Sequence, residues 1–308
     1  MLTDHGSDEG SRAVLESAVE NVTDVAPVSI DARHFMTDGH GRARVEGVRL
    51  TLETPGEQDL SPDVLLVYEI PPRERERLRP FLRAVSRSGV ARLEVDPDTW
   101  RAATDKHRTV ERFLRDGIPH METITLRRPD PDAALVAFER LGRNVWARPT
   151  TGLGGKDVFH VTTTDQLDDA RRHYCATDQD WLLSRDAGNI DSRGRRHQYR
   201  VVVLHDRVLR VVEHVQADPD APCNEAQGAD STILPAHDLP PQLARLAIAA
   251  TRALGLPFGG VDLVAENGGV VFEVNVHPVL DVPGGLETVA VPYVEAHHVV
   301  RSSTLTGT

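Results

Sequence analysis

The chain has 308 residues, 40% of them apolar and 27% charged, and 35 basic against 47 acidic side chains leave a net charge of −12. This composition predicts a folded protein and argues against disordered, fibrous and nonspecific polyanion-binding classes. No run of about 18 apolar residues occurs, the start MLTDHGSDEG is not a signal peptide, and two cysteines, Cys175 and Cys223, are too few for a disulfide scaffold, so a cytoplasmic protein without membrane contact is expected.

Residues 11–22 place Ala13, Val14, Ala18 and Val22 at helical spacing and predict a short first helix, ahead of a strand over 25–30. Alternating Val45, Val48, Leu50 and Leu52 predict strands or a hairpin. The run DVLLVYEI over 63–70 predicts a buried strand, stopped by Pro71 and Pro72. A helix follows over 74–88 with Leu78, Phe81, Leu82 and Val85 inward, then a strand over 90–95. Next come a turn over 96–101, a helix over 102–116 ended by Gly117-Ile118-Pro119, and a strand over 123–126. A helix over 131–141 begins on proline. A strand over 144–148 runs into Pro149-Thr-Thr-Gly-Leu-Gly-Gly-Lys156, and a strand over 158–161 and a capped helix over 164–175 follow. After a strand over 181–184, residues 185–197 read as a polar loop. Residues 199–204 and 208–215 predict a hairpin turning at His205-Asp206, and 217–233 a long surface loop. A helix over 240–254, a hairpin of 261–264 with 270–276 through Asn267-Gly268-Gly269, and a closing helix over 287–301 complete the chain.

The hairpin Gly260-Val-Asp262-Leu with Phe272-Glu273-Val-Asn275 carries the strongest local signal. Alternation places Glu273 and Asn275 on one strand face, and the hairpin can bring Asp262 beside them. Two carboxylates and an amide oxygen suit Mg²⁺ bound through phosphates. Val261, Leu263, Phe272, Val274 and Val276 are expected on the opposite face. The plain alternative is an acidic sheet face with no ligand. The segment from Gly152 through Gly154 and Gly155 to Lys156 can cradle an anion on backbone N–H groups, or be an ordinary turn. Arg148 at the preceding strand end and Lys106 on the helix before it are candidate phosphate cations, with solvated side chains as the alternative. Arg200, inside the apolar strand Tyr199-Arg-Val-Val-Val-Leu204, needs a carboxylate or a bound anion as partner. His214, Glu213 and Asn224 are weaker candidates, and His277-Pro278, which follows the carboxylate strand, is expected to shape the substrate side.

Several pieces in this order resemble the ATP-grasp superfamily, and the branch holding the ribosomal-protein glutamate ligase RimK in particular. Ala103-Thr-Asp-Lys106 with Gly117-Ile-Pro119 resembles its "DK" helix and "GIP". Trp146-Ala-Arg148-Pro149 and the glycines from Gly152 to Gly155 resemble its "KP…G…G" loop, and Tyr199-Arg200 its "D-x-R" strand. The segment from Leu254 to Leu263, with Glu273-Val-Asn275-Val-His-Pro278, resembles its "GL-x-x-x-G-V-D-L…E-V-N-x-x-P" ending. The resemblance implies an α+β ATP-grasp fold with an N-terminal α/β domain over 1–96, a small central subdomain over 97–184 and a C-terminal mixed-sheet subdomain over 185–308. It implies ATP and Mg²⁺ as cofactors, with Mn²⁺ as the alternative ion. Asp262, Glu273 and Asn275 would hold the metal, and Lys106, Arg148, Gly152, Gly154, Gly155 and Lys156 the phosphates. Ser184 and Asp186 would lie on the nucleotide side, and Arg200 and Asn275 would act in catalysis. The implied reaction joins a small-molecule or peptide carboxylate to an amine through an acyl phosphate. A nucleotide-binding regulatory or assembly protein without turnover is the alternative, and the oligomeric state stays open.

Three departures stand against that pattern. Arg148 replaces the usual lysine, Gln198 the usual acidic residue two before Arg200, and His214 a frequent arginine. The chain is also expected to begin on a helix where the family has a strand.

Overall fold

The computed structural model describes residues 1–56, 59–93, 96–127 and 130–306, with no side-chain description beyond 300. The chain divides into two compact units. The first comprises Met1–Arg101, Leu256–Gly259 and Val276–Thr308, and the second Ala102–Gly255 and Gly260–Asn275. No described helix is long and apolar enough to cross a membrane.

The first unit combines helices with short parallel pairings and an antiparallel hairpin. Leu2–Thr3 pairs in parallel with Ile30–Asp31, and parallel bridges join Leu2 to Val67 and Val64 to Ala91. A first strand therefore precedes the helix Ser11–Thr23, against the sequence expectation. Two residues are too few to leave an alternating pattern. The apolar run at 63–70 is buried from Leu65 to Ile70 as expected, although it pairs through isolated bridges and not a continuous ladder. The hairpin Arg42–Glu46 with Arg49–Glu53 forms. The helix expected over 74–88 is a short turn at Pro72–Glu74 and a helix at Arg79–Ser86, with Leu78, Phe81, Leu82 and Val85 inward. Of the strand expected over 90–95, Ala91 bridges Val64, and residues 94–95 lie outside the described residues.

The second unit holds two sheets. Thr123–Leu126, Trp181–Arg185, Val145–Pro149 and Phe159–Val161 lie side by side in that order, all antiparallel. Helices Pro131–Arg140 and Thr164–Ala176 supply Phe138, Leu141, Leu167 and Tyr174 to a core with Val145, Ala147, Trp181 and Leu183. Asp130 caps the first helix, and a reciprocal Thr163–Gln166 capping box starts the second. Because strand side chains alternate, burying Val145 and Ala147 in this core turns Trp146 and Arg148 to the other face.

The second sheet runs Asp230–Leu234, Arg207–Gln216, Arg196–Leu204, Phe258–Val264, Val270–Asn275. The loop expected over 217–233 thus ends in a strand, as Asp230–Val215 and the following pairs show. This edge strand is exposed and polar at its start, which hides it from an apolar-pattern reading. The amphipathic helix Pro241–Leu254 packs Leu243, Ala247, Ala250 and Leu254 inward.

The turn and helix expected over 96–116 are instead two helices, Pro97–Thr104 and Lys106–Asp116. Asp105 breaks them. Its backbone is extended and its carboxylate accepts from the His107 N–H at 3.0 Å, capping the second helix. Lys106 therefore opens a helix, where its own N–H donates to the Thr150 carbonyl at 2.8 Å.

Candidate functional site

One cavity in the second unit draws on both sheets, on the Lys106 helix and on the glycine segment. Its charged wall is built by the hairpin. Asp262 lies opposite Glu273 and Gly260 opposite Asn275 in the antiparallel register. Arg200 reaches Asp262 side-on, Nε to Oδ1 at 2.7 Å and Nη2 to Oδ2 at 2.8 Å. The Asn275 amide nitrogen lies 3.4 Å from Asp262 Oδ2 and 3.5 Å from the Gly260 carbonyl. Lys106 Nζ stands 3.3 Å from Glu273 Oε2 and 3.4 Å from the Gly152 carbonyl. Arg148 donates to the Phe272 carbonyl at 3.3 Å and to Ser184 Oγ at 3.4 Å, and its Nε is buried without a partner.

These groups set one another's charge. Burial pushes the Glu273 carboxyl up, but Lys106, Arg148 and Arg200 outweigh it and hold the group below its usual value. Burial also works against charge on Arg200, and Asp262 reverses this, raising the guanidinium above its usual value. Arg148 is lowered by burial, which Glu273 partly offsets. Burial and the nearby Arg200 lower His214, whose Nδ1 is 2.8 Å from Ser231 Oγ.

The glycine segment closes over this wall. Gly154 and Gly155 have φ of +65° and +69°, conformations that favour glycine. A Cβ on Gly155 would stand 2.9 Å from Gln227 Cγ and 3.1 Å from Pro222 Cβ. Gln227 Nε2 donates to the Gly154 carbonyl at 3.0 Å. Lys156 lines the cavity from this segment and is exposed.

The apolar side was not read from sequence. Met121, Ala187 and Phe272 pack with Val264 and Val270, and the first three also line the cavity. Phe272 was expected on the opposite face. The register shifts between Asp262 and Leu263, so Phe272 is the extra residue of a bulge and alternation fails there.

Of the predicted residues, Lys106, Arg148, Gly152, Gly154, Gly155, Lys156, Ser184, Asp262 and Glu273 line the cavity, while Arg200 and Asn275 reach it through Asp262. Asp186 does not line it. Its carboxylate pairs with buried Arg196 at 2.8 Å and accepts from Trp146 Nε1 and the Gly188 N–H, both at 2.7 Å. Arg196 also lies over the Trp146 ring, 4.8 Å from its centroid. Asp186 is thus a packed structural carboxylate, a role fixed by Arg196 ten residues away and invisible in the local pattern. Trp146, Asn189 and Arg196 line the cavity without having been singled out.

An apolar side, a cationic wall and a backbone cradle together suit a ligand with a planar apolar part and an anionic part. Among the described residues no three His, Cys, Asp or Glu side chains gather as a metal cage. The set Asp262, Glu273 and Asn275 instead offers a few hard oxygens, which fits an ion such as Mg²⁺ that shares its coordination with a phosphate ligand.

Comparison with known proteins gives the family and the fold. The RimK-like ATP-grasp domain family matches residues 103–285. A probable alpha-L-glutamate ligase of Haemophilus ducreyi is 34% identical over 93 residues, which cover 30% of this chain and 29% of that protein. The chain therefore matches under a third of that relative's length. Two solved structures share the fold over nearly the whole chain. The ATP-grasp ligase PsnB, complexed with a phosphomimetic variant of minimal precursor, Mg and ADP, has a TM-score of 0.69 at 15% identity, covering 97% of each chain. The D-cycloserine synthetase DcsG has a TM-score of 0.67 at 20% identity, covering 97% of this chain and 98% of its own.

Proposed function

This chain belongs to the RimK-like ATP-grasp family, and from that premise we propose that it is an ATP- and Mg²⁺-dependent ligase joining a carboxylate to an amine. The observation that carries the reading is the gathering of Asp262, Glu273 and Asn275 with Lys106, Arg148 and Arg200 beside a glycine cradle.

Asp262, Glu273 and Asn275 would hold Mg²⁺, which when bound offsets charge on the transferring phosphoryl group; Mn²⁺ is the alternative ion. Lys106, Arg148, Lys156 and the backbone of Gly152, Gly154 and Gly155 hold the phosphates. Arginine at 148 does this as a planar fork where lysine would act as a point charge. Met121, Ala187 and Phe272 receive the base, and Ser184 lies on the same side, hydrogen-bonded to Thr123 at 2.8 Å.

In the reaction an oxygen of the substrate carboxylate takes the γ-phosphoryl group and ADP leaves. The amine nitrogen then attacks the acyl carbon, phosphate leaves, and the amine sheds a proton as the amide forms. Arg200 is assigned to the negative charge on the acyl phosphate and its tetrahedral successor, and closure of the glycine segment keeps water from the acyl phosphate. The name of the glutamate-ligase relative supports amino-acid or peptide substrates over other carboxylates. A cytoplasmic enzyme, acting alone or as a homo-oligomer on small-molecule or peptide partners, is the setting proposed.

A nucleotide-binding protein without turnover is the second reading, favoured by the side-on engagement of both Asp262 oxygens by Arg200. The deciding experiment is an ADP-release screen over paired carboxylates and amines, with product mass as the second readout. Asp262→Asn and Glu273→Gln should each lower turnover by on the order of 10³-fold with the fold intact, as expected when a group facing transition-state charge is removed. Full turnover in either variant would refute the metal assignment. Nucleotide binding with no ADP release from any pair would favour the second reading.

A further inference from the structure

The metal-facing side chains of the proposed site are already matched with cations of the chain itself. Arg200 takes both Asp262 oxygens, at 2.7 and 2.8 Å, in a fork. Asp262 is 4% exposed, so its charge needs a partner at all times. Lys106 faces Glu273 at 3.3 Å. Asn275 turns its amide N–H₂ toward Asp262 Oδ2, and that is the end of the amide a cation does not bind.

We infer that Arg200 is a resident stand-in for the divalent cation, neutralising Asp262 until the metal arrives with the nucleotide phosphates. This rests on the ligase reading and adds an order of events to it. A forked guanidinium and a small hard cation compete for one carboxylate. The fork takes one in-plane lone pair on each oxygen, and a Mg²⁺ drawn to about 2.0–2.1 Å from either oxygen meets the guanidinium charge at close range. Seating the metal therefore moves Arg200 off Asp262, and the freed guanidinium is the group assigned to the acyl phosphate.

Charge sets the order. Three cations, Arg200, Lys106 and Arg148, stand beside the two carboxylates Asp262 and Glu273, an excess of one positive charge in this group. A lone divalent cation approaches a surface whose carboxylates already face cations of the chain. The same ion escorted by phosphates brings the negative charge that Lys106, Arg148 and the released Arg200 then bind. The engaged fork is thus a lock that free metal does not open and metal with nucleotide does.

Mn²⁺ binding, followed by loss of the free-ion electron paramagnetic resonance signal, tests this without turnover. Wild-type protein should take up Mn²⁺ with ADP present and not with Mn²⁺ alone. Arg200→Met should bind Mn²⁺ alone at least about tenfold tighter than wild type, and adding Asp262→Asn should erase that gain. Arg200→Lys keeps the charge but cannot span both oxygens, so it should show a smaller gain, and it decides the matter if Arg200→Met does not fold. Equal affinity of wild type and the folded Arg200 variants for Mn²⁺ alone would overturn the inference. Calorimetric titration with ADP separates this from the parent reading: absent ADP binding counts against the ligase, whereas the Mn²⁺-alone comparison judges the stand-in by itself.

Discussion

Three buried groups of the first unit and the charged wall of the second show opposite balances of burial and counter-charge. In the first, burial drives them toward neutrality. The Glu9 carboxyl is pushed up to about 7 by burial and by Glu69. Burial lowers His297 to about 4, and takes His277 well below its ordinary value with help from Arg75. In the charged wall of the second unit each group faces an opposite charge, Asp262 with Arg200 and Glu273 with Lys106, as Asp186 does with Arg196 elsewhere in the unit, and Glu273 is held below its usual value despite burial. Desolvation acts in both units, and the number of counter-charges at hand decides the outcome. The charged arrangement is the one suited to binding phosphates and a metal.

The largest effect expected from breaking this contrast is at Asp186. Asp186→Ala leaves buried Arg196 without its counter-charge, held only by the Pro219 carbonyl and Asn189 Oδ1, and should cost about 3–5 kcal/mol in urea unfolding. A small stability loss combined with weakened nucleotide binding would instead make Asp186 a ligand contact.

Next is the pH response of the first unit. His297 titrates near 4 when folded and near 6.5 when unfolded, so the unfolded chain binds more protons between those values. Stability is therefore lost as pH falls through that window, by about 3 kcal/mol in all. His297→Phe should flatten that part of the stability curve, and an unchanged slope would show that the imidazole is not held neutral.

Glu9 gives the opposite sign. Its folded value, about 7, lies above the unfolded 4.5, so its contribution is present in acid and lost as pH rises through 7. Glu9→Gln should stabilise the protein at pH 8 by about 3 kcal/mol and leave it little changed at pH 4. No gain at pH 8 would place the carboxylate in a more solvated or better paired setting than the one described.

The smallest effect concerns which cation is used. Arg148→Lys preserves charge but cannot reach both the Phe272 carbonyl and Ser184. ATP affinity should fall by no more than about tenfold, or 1.4 kcal/mol. A loss as large as that of Arg148→Ala would mean that the fork itself is required.

Much of this was legible in the sequence. Alternation placed Glu273 and Asn275 together, the hairpin over Asn267-Gly268-Gly269 brought Asp262 to them, and glycines marked the cradle. These are local signals, with periods of two or turn residues of fixed meaning. Legibility failed where the local rule was broken from a distance or by one residue. The bulge at Phe272 reverses a face without any composition cue. Asp105 divides what reads as one helix, and a two-residue strand precedes a helix that seemed to open the fold.

The sequence by itself marked most of the longer elements, the glycine segment and the candidate carboxylates and cations. Only the tertiary structure decided who meets whom. Arg200 and Asp262 are 62 residues apart, and Gln227 and Gly154 are 73 apart. Pairings over such separations depend on strand order and register, which periodicity cannot encode. A charged residue in an apolar strand announces that it needs a partner; the fold selects the partner.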